Sequence, residues 1–589
     1  MFGFHGKILF IDLKSRSFRI EKPDPDVLAA CLGGKGLGSY LLYEHNPPHC
    51  DPLGPENNLI FTCGPATGSL IWGGCRYGVF TKSPQTGFYS ESYAGGRAPE
   101  AMDAAGYDAV ILQGQCAAPT VLEIEPGGVH FHDASNLWGL DAISTEEKAL
   151  EIAAGKAGKK GALAIGPAGE NLVSFAVIEN DKWRSAGRTG PGAVMGSKKV
   201  KAMVFWGGAK RPMADPARLR DFSRDYAAES KENPSVQAYK SKGTPMMVQV
   251  LNKAGAFPTR YWKQGYFENW EKISAEALHE KCRVTPAACA KCFMACGRRG
   301  TLLDGPHKGL TVEGPEYETI YAFGGLCAID SIEEIAFLNH LCDSLGMDTI
   351  TSGNLCAFTM EAVEQGRAKL PVRYGDAQGA ADLLRKIARR EGAGDFLAKG
   401  IVHAAKEWGM EDQAVHVKGL EPAGYDPRVL KGMGLAYATS PRGACHLRST
   451  FYKAELSGMS RPDELEGKVE LYVDFEDRLT LFDALILCRF YRDLYPWDAL
   501  GDIVSMTCGL SPEKTNLQQI AQNIANIVRR FNLREGMDPA IHETLPKAFF
   551  SRALESGQVL SRDFFREMLT EYYRLRGWTD LGLLRDSPF

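Results

Sequence analysis

Ala287-Ala-Cys289-Ala-Lys-Cys292-Phe-Met-Ala-Cys296-Gly297 is a C-x2-C-x3-C run inside a chain of 589 residues. Three thiols this close in sequence meet on one object only if the backbone wraps around it. Thiolates are soft ligands that suit iron–sulfur clusters and zinc. Three ligands leave a cubane one short, so a fourth has to come from elsewhere in the chain. The reverse spacing, C-x3-C-x2-C, used by enzymes that cleave S-adenosylmethionine, is absent.

Upstream of this run the first two hundred residues are glycine-rich and carry short β-type stretches: Lys7–Leu13, Asn58–Cys63, Ala109–Gln113, Thr120–Glu125, Gly161–Ile165, Phe175–Glu179 and Val200–Trp206. After Gly207-Gly208-Ala209-Lys210-Arg211-Pro212 the texture changes to long helical periodicities, among them Pro216–Glu229, Ile332–Leu345, Ala380–Arg390, Leu517–Phe531 and Arg562–Arg574. A second boundary falls near Val417-Lys418-Gly419-Leu420-Glu421-Pro422. The expected fold class is α+β: a β-rich N-terminal cofactor-binding domain (1–208) followed by two mainly α-helical domains. The first of these (209–416) holds the three clustered cysteines, and the second is 417–589.

The bulk numbers narrow the function classes. A chain this long exceeds what one core usually supports. With 44% hydrophobic and 24% charged residues it reads as an ordinary globular protein. A net charge of −4 without a long basic stretch argues against nucleic acid or an anionic membrane as partner. No apolar run reaches the roughly 18–20 residues of a membrane span. The opening Met1-Phe-Gly-Phe-His-Gly-Lys-Ile-Leu-Phe-Ile-Asp-Leu reads as a strand without a leader, so a cytoplasmic location is expected. Fifteen cysteines are too sparse for a disulfide scaffold and fit a reducing, anaerobic setting. Cys31, Cys63, Cys116 and Cys356 read as small buried hydrophobes.

Four N-terminal stretches combine glycine with cations or polar residues: Gly33–Gly38, Gly73-Gly74-Cys75-Arg76-Tyr77, Tyr93–Arg97 and Gly187–Gly192. Glycine lets backbone N–H groups close on an anion, and arginine offers a bidentate fork to phosphate. Gly34-x-Gly36-x-Gly38 fails the G-x-G-x-x-G pattern, and there is no Walker A loop. Together they suggest one large phosphorylated cofactor. Downstream, Asp343-Ser-Leu-Gly346-Met-Asp348 looks like a helix C-terminus capped by Gly346. Asp483-Ala-Leu-Ile-Leu-Cys488 repeats its spacing, which suggests a pseudo-symmetric pair gripping a two-part ligand, with Cys488 as fourth cluster ligand.

Several blocks carry a resemblance. These are Thr81-Lys-Ser-Pro-Gln-Thr-Gly87, Ala105-Gly-Tyr-Asp-Ala109, Ile165-Gly-Pro-Ala-Gly-Glu-Asn171, and Gly190-Pro-Gly-Ala-Val-Met-Gly-Ser-Lys-Lys-Val-Lys-Ala202. The cysteine run, Gly314-Pro-Glu-Tyr-Glu-Thr319 and Gly434-Leu-Ala-Tyr-Ala-Thr-Ser-Pro-Arg-Gly-Ala-Cys-His446 complete the set. The chain resembles the tungsten-containing aldehyde ferredoxin oxidoreductases from its Gly-Lys-Ile-Leu start to at least Cys488. The resemblance implies tungsten (with molybdenum as the other candidate) between two pyranopterins, Mg2+ shared by their phosphates, and a [4Fe–4S] cluster. It assigns Cys289, Cys292, Cys296 and Cys488 to the cluster and Arg76 to a place between cluster and pterin. Tyr93, Ala94, Gly95, Ala186, Gly187 and Arg188 fall in the phosphate loops, and Asp343, Asp348, Asp483 and Leu487 in the pterin-gripping segments. Glu318 and His446 match polar groups that handle protons beside the metal. The implied reaction is oxidation of an aldehyde to a carboxylic acid, with electrons passed to ferredoxin or an iron–sulfur subunit.

Two departures are visible. The family's second gripping segment reads D-x-x-G-x-C, but here position 486 is Ile. Some members carry E-x-x-H for a mononuclear metal at a dimer interface, but here the stretch is Phe337-Leu-Asn-His340, so that site is expected to be missing; a homodimer or larger complex stays open. The alternatives are another aldehyde class such as a sugar phosphate, a tungsten subunit of an aromatic acyl-CoA reductase, and a non-catalytic iron–sulfur or zinc scaffold. In the acyl-CoA branch Cys327 is the candidate metal thiolate, against its reading as a buried structural thiol.

Overall fold

The computed structural model describes residues 1–585. Twelve strands build two six-stranded sheets within the first 207 residues. The first comprises β1 (Ile8–Asp12), β2 (Ser17–Glu21), β3 (Leu59–Thr62), β4 (Tyr77–Lys82), β5 (Tyr89–Ala94) and β6 (Ala109–Gln113), in the order β2-β1-β6-β3-β4-β5. The second comprises β7 (Thr120–Glu125), β8 (Gly128–Asp133), β9 (Lys159–Ala164), β10 (Ile178–Asn180), β11 (Arg184–Ala186) and β12 (Val200–Gly207), ordered β11-β10-β9-β12-β7-β8. Central strands such as β3 and β6 are nearly continuous apolar runs because both faces are covered. Leu9, Ile11, Phe61, Val110, Leu122, Leu163 and Met203 pack in one core between the sheets.

The rest of the chain is mainly helical, as expected. A small third sheet, β13 (Cys282–Ala287), β14 (Gly297–Leu302) and β15 (Thr311–Glu313), is inserted in it. The cysteine run is the loop between β13 and β14. Four helices position the site: α1 (Gly34–His45), α2 (Ile332–Leu345), α3 (Thr349–Glu364) and α4 (Lys468–Leu485). Helix α2 starts where Ser331 accepts from the Glu334 N–H, and α3 where Asp348 accepts from the Ile350 and Thr351 N–H groups.

Two readings of the sequence need correcting. Gly33–Gly38 is not an anion-binding loop: Gly34 begins α1, and its glycines are packing surfaces. A Cβ on Gly34 would stand 2.2 Å from the Asp483 carbonyl oxygen, one on Gly36 1.8 Å from that of Cys31, and one on Gly38 2.3 Å from the Phe80 ring. The strand expected at Phe175–Glu179 is pushed on to Ile178–Asn180. Its first residues instead bond the end of α2, the Val177 N–H donating to Gly346 O (3.0 Å) and the Asp348 N–H to Phe175 O (3.2 Å).

Packing ignores sequence order. Leu479, Leu481, Phe482, Ile503, Ile524 and Phe531 share a core with Phe10, Ile60, Phe80 and Ile111 of the first sheet. Val469, Tyr472 and residues from Leu545 to Trp578 join the core of the central helices. The cavity lies where these bodies meet.

Candidate active site

Asp343–Asp348 and Asp483–Cys488 are the same piece of backbone built twice. Helix α2 ends with Gly346 in the left-handed region (φ 77°, ψ 51°), and α4 ends with Ile486 in the same region (φ 64°, ψ 42°). The next N–H reaches back alike in each: Met347 donates to Cys342 O at 2.9 Å, and Leu487 to Phe482 O at 2.7 Å. A β-branched residue at positive φ is strained, typically by about 1–3 kcal/mol. The neighbours hold it there: a Cβ on Gly64 or Gly34 would come within 2.7 and 2.9 Å of the Ile486 side chain. The departure at position 486 therefore leaves the backbone of the segment intact.

Cys488 follows this cap and is tied to the cysteine loop through one strut. Its N–H donates to Gly73 O (2.8 Å), and the Gly73 N–H donates to Lys291 O (3.2 Å). Only glycine fits at 73, where a Cβ would lie 2.6 Å from the Tyr491 ring. The Tyr491 hydroxyl donates to Cys292 Sγ (3.4 Å) and accepts from the Phe293 N–H (3.1 Å). Gly95 lies against the same nest, with its would-be Cβ 2.8 Å from Cys289 Sγ. Cys289, Cys292, Cys296 and Cys488 are thus brought together. A fifth thiol joins them: buried Cys75 hydrogen-bonds Cys289, which together with the charges of Arg184 and Arg76 holds the Cys289 thiol well below its ordinary range. Cys75 was overlooked in the sequence, although it directly precedes Arg76.

Arg76 spans from this nest into a cavity of about 340 Å³. Its Nη2 donates to Cys488 Sγ at 3.5 Å, while its Nε has no partner. Tyr93, Gly187, Arg188, Asp483, Glu318 and His446 line the same cavity. Ala94, Gly95, Ala186, Leu487, Asp343 and Asp348 do not reach its wall. The loop after β11 runs beside β5, the Ser92 hydroxyl donating to Arg188 O at 2.6 Å. Arg188 uses its guanidinium as a brace, with Nε to Asp348 (3.2 Å), Nη1 to Ala444 O (3.0 Å) and Nη2 to Glu421 O (2.8 Å). Asp348 is shared between that brace and the α3 cap. Asp343 accepts from Asn339 at 2.9 Å and is pushed up to about 8 by burial and by Glu313. Asp483 accepts from Arg448 (2.8 Å) and from Arg489.

Glu318 and His446 meet, with His446 Nε2 3.4 Å from Glu318 Oε1. Burial pushes the Glu318 carboxyl up to about 8, against the Gly424 N–H that donates to Oε2 (3.1 Å) and the charge of Arg188. Burial, helped by Arg188, Arg442, Arg489 and Arg448, holds His446 well below the usual imidazole range. At neutral pH the pair therefore carries one proton, on the carboxyl. Glu316, two residues away, accepts from the Thr244 hydroxyl.

Arg442, Arg448 and Arg489 also line the cavity and were missed in the sequence, where only their closeness to His446 and Cys488 could have marked them. Cys327 is buried against Gly353 O (3.3 Å) and is not in the wall. Buried polar atoms are normally paired. Here Arg76 Nε, Glu318 Oε1, Arg442 Nε, His446 Nδ1, Arg448 Nε and Nη2, and Thr450 Oγ1 all lack partners and all belong to residues of this one wall. With six arginines against three carboxylates, the wall fits a large anionic ligand rich in hydrogen-bonding groups.

Residues 8–207 match the N-terminal domain of aldehyde ferredoxin oxidoreductase, and residues 221–587 match its domains 2 and 3. The chain is 38% identical to a tungsten-containing aldehyde ferredoxin oxidoreductase of Thermococcus kodakarensis, over 99% of this chain and 97% of that one. It is 36% identical to the protein of the same description from Pyrococcus furiosus, with the same coverage. Among solved structures it resembles the active site complex BamBC of benzoyl coenzyme A reductase with 1,5-dienoyl-CoA. That likeness has a TM-score of 0.84 at 25% identity and covers 99% of this chain and 96% of the other. The doubled segment, the cysteine nest and the arginine-lined cavity therefore sit in a chain that belongs to the aldehyde ferredoxin oxidoreductase family.

Proposed function

We propose that this protein oxidises an aldehyde and water to a carboxylic acid, releasing two protons and two electrons that leave through a [4Fe–4S] cluster to ferredoxin or a similar iron–sulfur acceptor. The observation that carries this reading is one cavity with a proton-handling pair in its wall, linked by Arg76 to a nest of thiols. A tungsten bis-pyranopterin would supply the two-electron redox couple when bound. Arg76, Tyr93, Gly187, Arg448 and Arg489 are the residues to hold it, with the segments ending at Asp348 and Cys488 behind them and Mg2+ at its phosphates. Cys289, Cys292, Cys296 and Cys488 are proposed to hold the cluster.

The chain's own chemistry is proton transfer. Neutral His446 is a base, and the protonated Glu318 beside it is an acid; such groups contribute about 10²–10⁴-fold when placed on a reacting atom. Burial keeps bulk water from competing with them. The three-domain division at 208 and 416 and a cytoplasmic location belong to the same proposal, and no helix of the described residues is long and apolar enough to cross a membrane.

A second reading, a tungsten subunit acting on aromatic acyl-CoA within a larger complex, draws on the likeness to the benzoyl coenzyme A reductase complex and on the tyrosines around His446. Anaerobic assays with a viologen dye decide between them. Aldehyde-dependent reduction, with tungsten and iron in the purified protein, supports the first. Turnover of benzoyl-CoA alone supports the second, and zinc without tungsten would overturn both.

A further inference from the structure

Beyond Glu318 and His446 the cavity wall turns aromatic. Tyr425 stacks on Tyr452 with 4.0 Å between ring centroids and lies 5.4 Å from the His446 ring. Tyr239 packs on Phe490 at 4.5 Å. All five line the cavity, and Arg492 lines it with them.

Arg492 is only 2% exposed. Its Nη1 donates to Arg489 O at 2.9 Å, the Tyr239 hydroxyl is a second partner, and its Nε has none. Asp483 is held by Arg448 and Arg489, and Asp493, the next residue in the chain, divides its charge between Arg492 and an ion pair with Lys453. No carboxylate of the described residues forms an ion pair with Arg492. A buried guanidinium that faces a cavity with a free donor and no carboxylate in direct contact is costly unless a ligand completes it.

We propose that Arg492 is the carboxylate subsite of this cavity. A guanidinium takes a carboxylate through two parallel hydrogen bonds, and the ring pairs of the same cavity offer walls for a flat or apolar stem. The ligand class is an aromatic or apolar stem ending in a carboxylate. Two sources share that chemistry: an aldehyde that already bears an acid group, and the acid formed by oxidation. The assignment of a source rests on the aldehyde-oxidising reading; the subsite itself does not.

The experiment compares benzaldehyde with 4-formylbenzoate in the viologen assay, and measures benzoate binding by calorimetry, for the loaded wild type, Arg492→Gln and Arg492→Lys. A lost charged hydrogen-bond pair corresponds to at least about tenfold. For a substrate carboxylate, the ratio of kcat/KM for 4-formylbenzoate to that for benzaldehyde drops about tenfold or more in Arg492→Gln. For a product carboxylate that ratio holds, while benzoate affinity drops by the same factor. An unchanged ratio together with unchanged benzoate affinity overturns the proposal. If the wild type oxidises no aldehyde, calorimetry still decides the subsite, so the two readings fail separately. Should Arg492→Gln not fold, Arg492→Lys replaces it: charge without the planar fork weakens benzoate several-fold if the subsite is real, and equal affinity overturns it.

Discussion

Replacing Glu318 with glutamine keeps the size of a buried side chain and removes its ability to ionise. The wild-type carboxyl is moved from its ordinary 4.5 to about 8, mainly by burial. Its folded-state value is thus above its unfolded one. The stability tied to it is fully present below about pH 4.5, declines as the pH rises, and is gone once the pH has passed about 8. The full difference amounts to roughly 5 kcal/mol, of which roughly 3 falls between pH 5 and 7. Glutamine can still accept from the Gly424 N–H and loses nothing as the pH rises. Glu318→Gln is therefore expected to match the wild type near pH 4.5 and to gain on it steadily up to pH 8, while turnover falls at least about tenfold. Denaturant unfolding at pH 5, 7 and 8.5, with tungsten and iron measured on each sample, gives the stability series. Anaerobic viologen reduction with a small aldehyde gives turnover. A stability difference that stays flat with pH, alongside undiminished turnover, would refute both the buried carboxyl and its role in proton transfer.

Other outcomes follow from the same geometry. His446→Asn should lower turnover by at least about tenfold with metals retained, whereas Glu316→Gln, whose carboxylate is bonded by Thr244, should lose less; equal losses would remove the distinction. Serine at Cys488 should lower iron content and bleach the broad visible absorption, and full iron would take Cys488 out of the ligand set. Arg76→Lys keeps the charge but cannot span from Cys488 into the cavity with a planar fork, so cluster potential or tungsten content should change; no change in either rules out the bridge. Ile486→Gly relieves about 1–3 kcal/mol of backbone strain but gives up a buried side chain worth about 2–5 kcal/mol. A net loss of about 1–3 kcal/mol in chemical unfolding is expected, and a gain would mean that strain outweighs packing.

Local signals were enough for part of this protein. The strands Ala109–Gln113 and Thr120–Glu125 and the helix Ile332–Leu345 were legible to the residue, because burial on two faces and a Ser–Gly pair of caps are written in adjacent positions. The cysteine triplet, the family blocks and the repeated five-residue spacing named the family and its candidate residues without coordinates. Only the tertiary structure decided what those residues share. Whether Gly33–Gly38 binds an anion or packs a helix depends on Asp483 and Phe80, which are distant in sequence. Cys75 is a thiol like any other until the strut at Gly73 sets it beside Cys289. Ile486 looks like a broken motif until Gly34 and Gly64 make room for it. Nothing local marks Arg442, Arg448, Arg489 and Arg492 as cavity residues, because burial is a property of the surroundings. The C-terminal helices that enclose them pack against the first sheet, and no local pattern encodes that contact.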